Sequence, residues 1–255
     1  MDNVITQKSF SLKGLGGFLS VGDVDGDGKI EYVMTQGTRS IAVFDDDGTL
    51  MWHKERKCYG QVRVHIECEM PTLVFDIDGD GKAEVIARWY HEDTRNATPF
   101  IMIMDGATGE IKQQAAMPIA FWPESELSLA HSGKLVIGRI EQDRPPHIII
   151  GGMCWGLAIL DHELRLRFVD PQFGRVHDRM TGFGLCHTPR LYDIDGDGVA
   201  ELLLGRIACR ADGQILWQVD PEVFSPTQID HIDSLAVGDF DGDGKPEVAF
   251  SNAAT

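Results

Sequence analysis

Long apolar runs are absent from this 255-residue chain, and without about twenty consecutive apolar residues no helix can span a bilayer. Cysteine is sparse and odd in number. Cys58, Cys68, Cys154, Cys186 and Cys209 leave at least one unpaired, and their spacing fits neither a disulfide framework nor a zinc motif. Basic residues are few and unclustered: 23 Lys and Arg stand against 40 Asp and Glu. That balance excludes a nucleic-acid-binding surface of the usual kind. Met1-Asp2-Asn3 lacks the basic start and apolar stretch of a signal peptide.

What the chain has in quantity is one acidic loop, Asp-x-Asp-Gly-Asp-Gly-x-x-Glu, written four times: Asp23–Glu31, Asp76–Glu84, Asp193–Glu201 and Asp239–Glu247. Each copy gathers four carboxylates within nine residues, with two glycines that let the backbone curl. Carboxylates this close repel, so the folded loop needs a cation, and oxygen-only ligands select a hard ion such as calcium. The expected side-chain ligands are the first, third, fifth and ninth residues. These are Asp23, Asp25, Asp27 and Glu31; Asp76, Asp78, Asp80 and Glu84; Asp193, Asp195, Asp197 and Glu201; and Asp239, Asp241, Asp243 and Glu247. The seventh residues, Lys29, Lys82, Val199 and Lys245, are expected to add main-chain carbonyls. Four Ca2+ sites follow.

An EF-hand would place helices on either side of a twelve-residue loop. Here the flanks are short and β-rich: Phe18–Val21, Tyr32–Met34, Leu73–Phe75, Val85–Ala87, Leu202–Leu204, Leu235–Val237 and Val248–Phe250. The loops therefore read as metal-clamped turns between antiparallel strands. First aspartates at 23, 76, 193 and 239 are 53, 117 and 46 residues apart, which leaves room for one degenerate copy. Residues 135–150 supply it, with Arg139 in place of the first aspartate and His147 in place of the glutamate. Arg139 is expected to pair with Glu141 and Asp143 as an internal cation.

A second hairpin follows each loop, as in Ile41–Phe44, the turn Asp46-Asp47-Gly48, and Thr49–Trp52. Four strands per roughly fifty residues, repeated without helices, specify an all-β fold of β-propeller blades. The blades lie near 15–57, 68–117, 130–170 and 186–220, with a partial one at 234–255, in a single propeller domain or fragment.

These loops resemble the FG-GAP and VCBS calcium repeats of integrin-like propellers. Together with the Asp-Gly turns and Trp-bearing fourth strands, the chain is most similar to the propeller of rhamnogalacturonan lyases and related ulvan-lyase-like polysaccharide lyases. Arg63-Val64-His65 and His231-Ile232-Asp233 add to that likeness. The resemblance implies a seven- or eight-bladed propeller, of which five repeats would be the N-terminal part. A compact five-bladed ring is the alternative, with residues 4–12 closing it as a strand.

The formal charge is −17, and the four loops hold 16 acids, so the remainder is nearly neutral; four dications would bring the total to −9. Calcium-loaded loops suit an extracellular or cell-surface setting, while the N-terminus and odd thiols leave the cytoplasm open. If the calcium turns share one rim, the links entering each blade and the second-to-third-strand loops share the other. His53, Lys54, Arg88, Trp89, Tyr90, His187, Arg190, Arg206 and Arg210 fall in those segments. Such a face suits an acidic polysaccharide or other glycan, because guanidinium grips carboxylate in bidentate fashion.

The lyase resemblance then assigns roles for β-elimination of a uronate. His187 or His65 is the expected base, Tyr90 or Tyr59 the acid, and Arg88, Arg179 or Arg190 the carboxylate clamp. The competing reading is a non-catalytic FG-GAP-type propeller that binds glycans or a protein partner.

Overall fold

β-branched and large apolar residues, interrupted every few positions by Gly and Asp, leave no stretch long enough for a stable helix and pair with their sequence neighbours instead. The computed structural model describes residues 17–36, 40–55, 72–90, 99–117, 134–152, 156–171, 173–174, 186–219 and 229–254. Two compact units are present, Met1–Gln114 and Ala115–Thr255.

The first unit holds a sheet of β1 (Phe18–Gly22), β2 (Glu31–Gln36), β3 (Ser40–Phe44) and β4 (Leu50–Glu55), in chain order. A second sheet follows in the same order, from β5 (Leu73–Phe75), β6 (Glu84–Tyr90), β7 (Pro99–Met104) and β8 (Ile111–Ala116), the last of which reaches the unit boundary. In the second unit, β9 (Lys134–Gly138), β10 (His147–Gly151), β11 (Leu157–Leu160) and β12 (Leu166–Asp170) form one sheet. Another holds β13 (Arg190–Tyr192), β14 (Glu201–Leu204), β15 (Ile207–Cys209) and β16 (Ile215–Gln218). A two-stranded sheet of β17 (Ile229–Gly238) and β18 (Glu247–Ala254) completes the described chain. The all-β, blade-type reading is therefore correct: four up-and-down four-stranded sheets and one hairpin.

Burial follows strand position. β3, β10, β11, β14 and β15 are buried along their whole lengths, whereas β1, β4, β12 and β16 expose alternate residues. These fully buried strands are nearly continuous apolar runs rather than alternating ones. In the first unit Val33, Ile41, Val43, Val85, Ala87, Met102 and Met104 make that core. In the second, Ile149, Ile159, Leu202, Leu204, Ala208 and Leu235 do.

Tight contacts lock adjacent sheets together within each unit. Trp52 Nε1 donates to the Gly106 carbonyl at 2.7 Å, and its ring covers Gly109. A Cβ on Gly109 would lie 2.7 Å from that ring, so the position needs glycine. Phe168 covers Gly213 in the same way in the second unit. Trp52 is thus a packing residue between the two sheets of the first unit.

Three expectations about local structure need correction. Arg88, Trp89 and Tyr90 are not in a loop: β6 runs through them, pairing with Ile101, Phe100 and Pro99. The apolar partners opposite extend the ladder beyond the point where charge suggested a turn. His53 and Lys54 likewise lie on β4, opposite Ala42 and Ile41. In the degenerate third loop, Glu141 lies 4.0 Å from Arg144 and 3.8 Å from His147. Among the described residues no ion pair joins Arg139 to Glu141 or Asp143. The left-handed backbone of Asp143 (φ 55°) rebuilds this turn, and Arg144 is the guanidinium that faces Glu141.

Candidate metal centres

Each acidic loop joins the first two strands of its sheet, as β1 and β2 are joined in register from Phe18↔Thr35 to Gly22↔Glu31. Flanking strands rather than helices exclude the EF-hand. Inside the loop the carboxylates also accept from the backbone. Asp23 accepts from the amides of Gly26 (2.7 Å) and Gly28 (2.9 Å), Asp25 from Asp27 (3.0 Å), and Asp27 from Lys29 (2.8 Å). The same ladder recurs at Asp76 with Gly79 and Gly81, Asp193 with Gly196 and Gly198, and Asp239 with Gly242 and Gly244. Both glycines of the first loop have positive φ, 81° and 83°, and the other three loops repeat this. A side chain there would be strained, which is why the motif spends two glycines in six residues.

The ninth residue closes the loop from the strand side. Glu31 Oε2 accepts from Val24 N at 2.7 Å, and Glu84, Glu201 and Glu247 do the same for Ile77, Ile194 and Phe240. Glu31, Glu84 and Glu201 are all but completely buried. Burial pushes the carboxyl groups of Glu31 and Glu201 above the usual carboxylate range, and neighbouring aspartates push the same way.

Does this donor set fit a calcium ion? Ligand oxygens of Asp23, Asp25 and Asp27 lie within 4.8 Å of one another, as do those of Asp76, Asp78 and Glu84, of Asp193, Asp195 and Asp197, and of Asp239, Asp241 and Glu247. Oxygens bound to one Ca2+ at about 2.3–2.6 Å cannot be further apart than about 5 Å. Glu31 Oε1 is buried without a hydrogen-bond partner, an arrangement that costs free energy unless a cation is close by. The residues fit the ion. First and third aspartates join all four clusters, the fifth joins two (Asp27, Asp197), and the ninth joins two (Glu84, Glu247).

One cation in this region is invisible to motif reading. Lys112, on β8, places its ammonium 2.6 Å from Asp78 Oδ2 and 2.7 Å from Glu84 Oε1. Desolvation opposes its charge, but these two bonds hold it above the ordinary lysine range. The same ammonium does not bring Glu84 down. Burial dominates there, because the carboxylate is only 3% exposed.

The residues expected to handle a saccharide are distributed as follows. His187 is half-buried, with Nε2 3.6 Å from Asp233 Oδ1 and its amide donating to the Ile232 carbonyl at 2.9 Å. Arg190 opens β13 and is exposed. Arg88 is buried at 4% exposure on β6, so its guanidinium is engaged by protein. Arg206 is buried as well. Arg210 faces the acidic loop of its own sheet, 3.4 Å from Asp195, because it closes the turn after β15. His65, Tyr59 and Arg179 lie outside the described residues, as does the side chain of Tyr90. Cys186 and Cys209 are buried and not disulfide-bonded, and burial pushes the Cys209 thiol up to about 12. Among the described residues, no helix is long and apolar enough to cross a membrane.

No protein-family model matches the chain. Two curated proteins of Bacillus subtilis (strain 168) do. Rhamnogalacturonan exolyase YesX is 23% identical over 267 residues, covering 87% of this chain and 42% of its own length. Rhamnogalacturonan endolyase YesW is 25% identical over 272 residues, covering 89% and 42%. The chain thus spans less than half the length of these relatives. The solved structure of YesW matches with a TM-score of 0.67 at 22% identity, over 92% of this chain and 46% of that one. The Bacillus licheniformis rhamnogalacturonan lyase PL11 matches with a TM-score of 0.65 at 20% identity, over 92% and 46%. By sequence at low identity, and by fold, this chain is related to the rhamnogalacturonan lyases.

Proposed function

We propose that the chain is a calcium-stabilised portion of a seven- or eight-bladed β-propeller in a polysaccharide lyase that cleaves uronate-containing polysaccharide by β-elimination outside the cell. The observation that carries this reading is the relation to two rhamnogalacturonan lyases over nearly nine-tenths of the chain. In it the Asp-Gly loops hold calcium as structural clamps. The loop carboxylates named above, with the carbonyls of Lys29, Lys82, Val199 and Lys245, supply the ligands.

The chemistry belongs to other residues. Elimination requires the uronate carboxylate to be neutralised, so that the adjacent C5–H becomes acidic, and requires a base that is neutral near pH 7. His187 suits the base role, since Asp233 at 3.6 Å can orient the ring and stabilise it once protonated. Exposed Arg190, three residues along the chain, suits the clamp. Arg88 suits it less well, because a buried guanidinium is not offered to a polymer in solution. His65 remains the second candidate base, Tyr90 and Tyr59 the candidate acids, and Arg179 a further clamp.

The test is formation of the unsaturated uronate, followed by its ultraviolet absorbance, on rhamnogalacturonan and ulvan, using the chain within its longest natural protein. Activity retained by a His187→Ala, His65→Ala double variant would reject the base assignment. Glycan binding without any unsaturated product from the unaltered protein would favour a binding propeller.

A further inference from the structure

We propose that the ammonium of Lys112 occupies the cation position of the second acidic loop, so that this loop closes without calcium and takes up the ion last of the four. The inference rests on the calcium reading of the loops and adds that they are unequal.

Two loops can be compared atom for atom. In the first, Glu31 Oε2 accepts from Val24 N while Oε1 is buried and unpartnered. In the second, Glu84 Oε2 accepts from Ile77 N while Oε1 receives Lys112 Nζ at 2.7 Å. The same ammonium reaches Asp78 Oδ2 at 2.6 Å. Asp78 and Glu84 are two of the three residues whose ligand atoms converge within 4.8 Å. Lys112 therefore binds two of the three carboxylates that converge there.

Other cations near the loops behave differently. Lys29 touches Asp27, Arg210 touches Asp195 and Lys245 touches Asp243. Each meets one aspartate of its loop, and among the described residues none of them meets the buried glutamate.

Strand register explains why one loop has such a cation. In every four-stranded sheet a backbone bond closes the last turn: Asp45 to Thr49, Asp105 to Glu110, Asp161 to Arg165 and Arg210 to Gln214. Two residues beyond each acceptor stand Met51, Lys112, Arg167 and Leu216. Where the first and fourth sheets keep their acidic loop, this place is apolar. In the third sheet, whose loop has lost its aspartate ladder, it is a cation. The second sheet has both the acids and the cation.

An ammonium brings one charge and three donors, whereas Ca2+ brings two charges and takes six to eight oxygens. Lys112 thus offsets only part of the repulsion, and calcium can still enter. To do so it must break two short charge-assisted bonds and displace the lysine into solvent, where 31% of its side chain already lies. The affinity of this loop should fall by about tenfold relative to the others.

Calcium titration of the chelator-stripped chain by calorimetry tests this. The unaltered protein is expected to show three sites of one class and a fourth about tenfold weaker, and Lys112→Met to bring all four together. Met51→Lys should move the first loop into the weak class, which guards against a Lys112 variant that folds poorly. Hydrogen exchange in chelator gives a second readout. The amides of Gly79–Lys82 should be protected in the unaltered chain and lose protection in Lys112→Met, while those of Gly26–Lys29 exchange in both. Four equal sites in the unaltered chain, or a weak class that neither variant moves, would overturn the role of Lys112 and leave the calcium reading standing. Retention of no calcium by any of the proteins would overturn both.

Discussion

Glu31 tests at the scale of one side chain the calcium role proposed for the loop. One carboxylate oxygen completes the backbone and the other has no partner in a buried site. Glu31→Gln keeps an acceptor for the Val24 amide and removes the charge. In chelator the variant should therefore melt at the same temperature as the unaltered chain or higher, because an unfavourable buried charge is gone. In calcium it should melt lower, with affinity at the first loop reduced about tenfold, or about 1.4 kcal/mol. Paired melting curves with and without calcium check both signs.

His147 makes the opposite kind of statement. Desolvation holds its pKa below the ordinary 6.5, although Glu141 pulls the other way. At neutral pH the 3.8 Å contact with Glu141 is accordingly not an ion pair. The native chain binds fewer protons than the unfolded one, so this residue's contribution is complete above about pH 6.5 and declines as pH falls through the depressed folded value. Urea denaturation on either side of that pH should show the loss, and His147→Gln should flatten it.

Among elements, the turn between third and fourth strands carries more than its own hairpin. Trp52 leaves β4 to bond the Gly106 carbonyl and cover Gly109 in the next sheet, contacts no neighbouring side chain can replace. Trp52→Ala should cost about 3 kcal/mol, as for other large-to-small changes at packed sites. Trp52→Phe, which keeps an aromatic ring but loses the hydrogen bond and part of the indole's packing, should cost less, about 2 kcal/mol. Denaturant titration followed on the first unit separates the two. Strand boundaries also belong to this scale. Arg88 and Tyr90 looked like loop residues because charge and aromatics cluster there, yet the ladder to Pro99, Phe100 and Ile101 carries β6 through them. Pairing with the next strand overrode the local pattern.

For the whole molecule the governing quantity is charge. A chain of −17 with most of its excess in four loops repels itself unless cations are bound. Each loop filled at a hundred times its dissociation constant adds about 2.7 kcal/mol. Chelation should lower the melting temperature steeply, more so at low ionic strength, where the repulsion is least screened. A melting curve indifferent to chelator at low salt would contradict calcium's place in this fold. The limits of the second unit's last hairpin matter at this scale as well. β17 pairs with β18 and meets Cys186 in an isolated parallel bridge at Ile232, and β18 is less buried than the second strands of the other sheets.

The repeat, the strands around it and the loop geometry were decided by sequence alone. All of a loop's donors, acceptors and turn glycines lie within nine consecutive residues, so local chemistry determines them. The same locality made the degenerate third copy readable from its two flanking strands. Tertiary structure alone decided which cation reaches which carboxylate. Lys112 lies 34 residues from Asp78 and 28 from Glu84, and Trp52 lies 54 from Gly106. Nothing in the local pattern prefers Lys112 to Arg139 or Lys29 as the ion's substitute. That choice comes from the pairing of the strands, which carries Lys112 on β8 to Asp78 and Glu84 across the sheet.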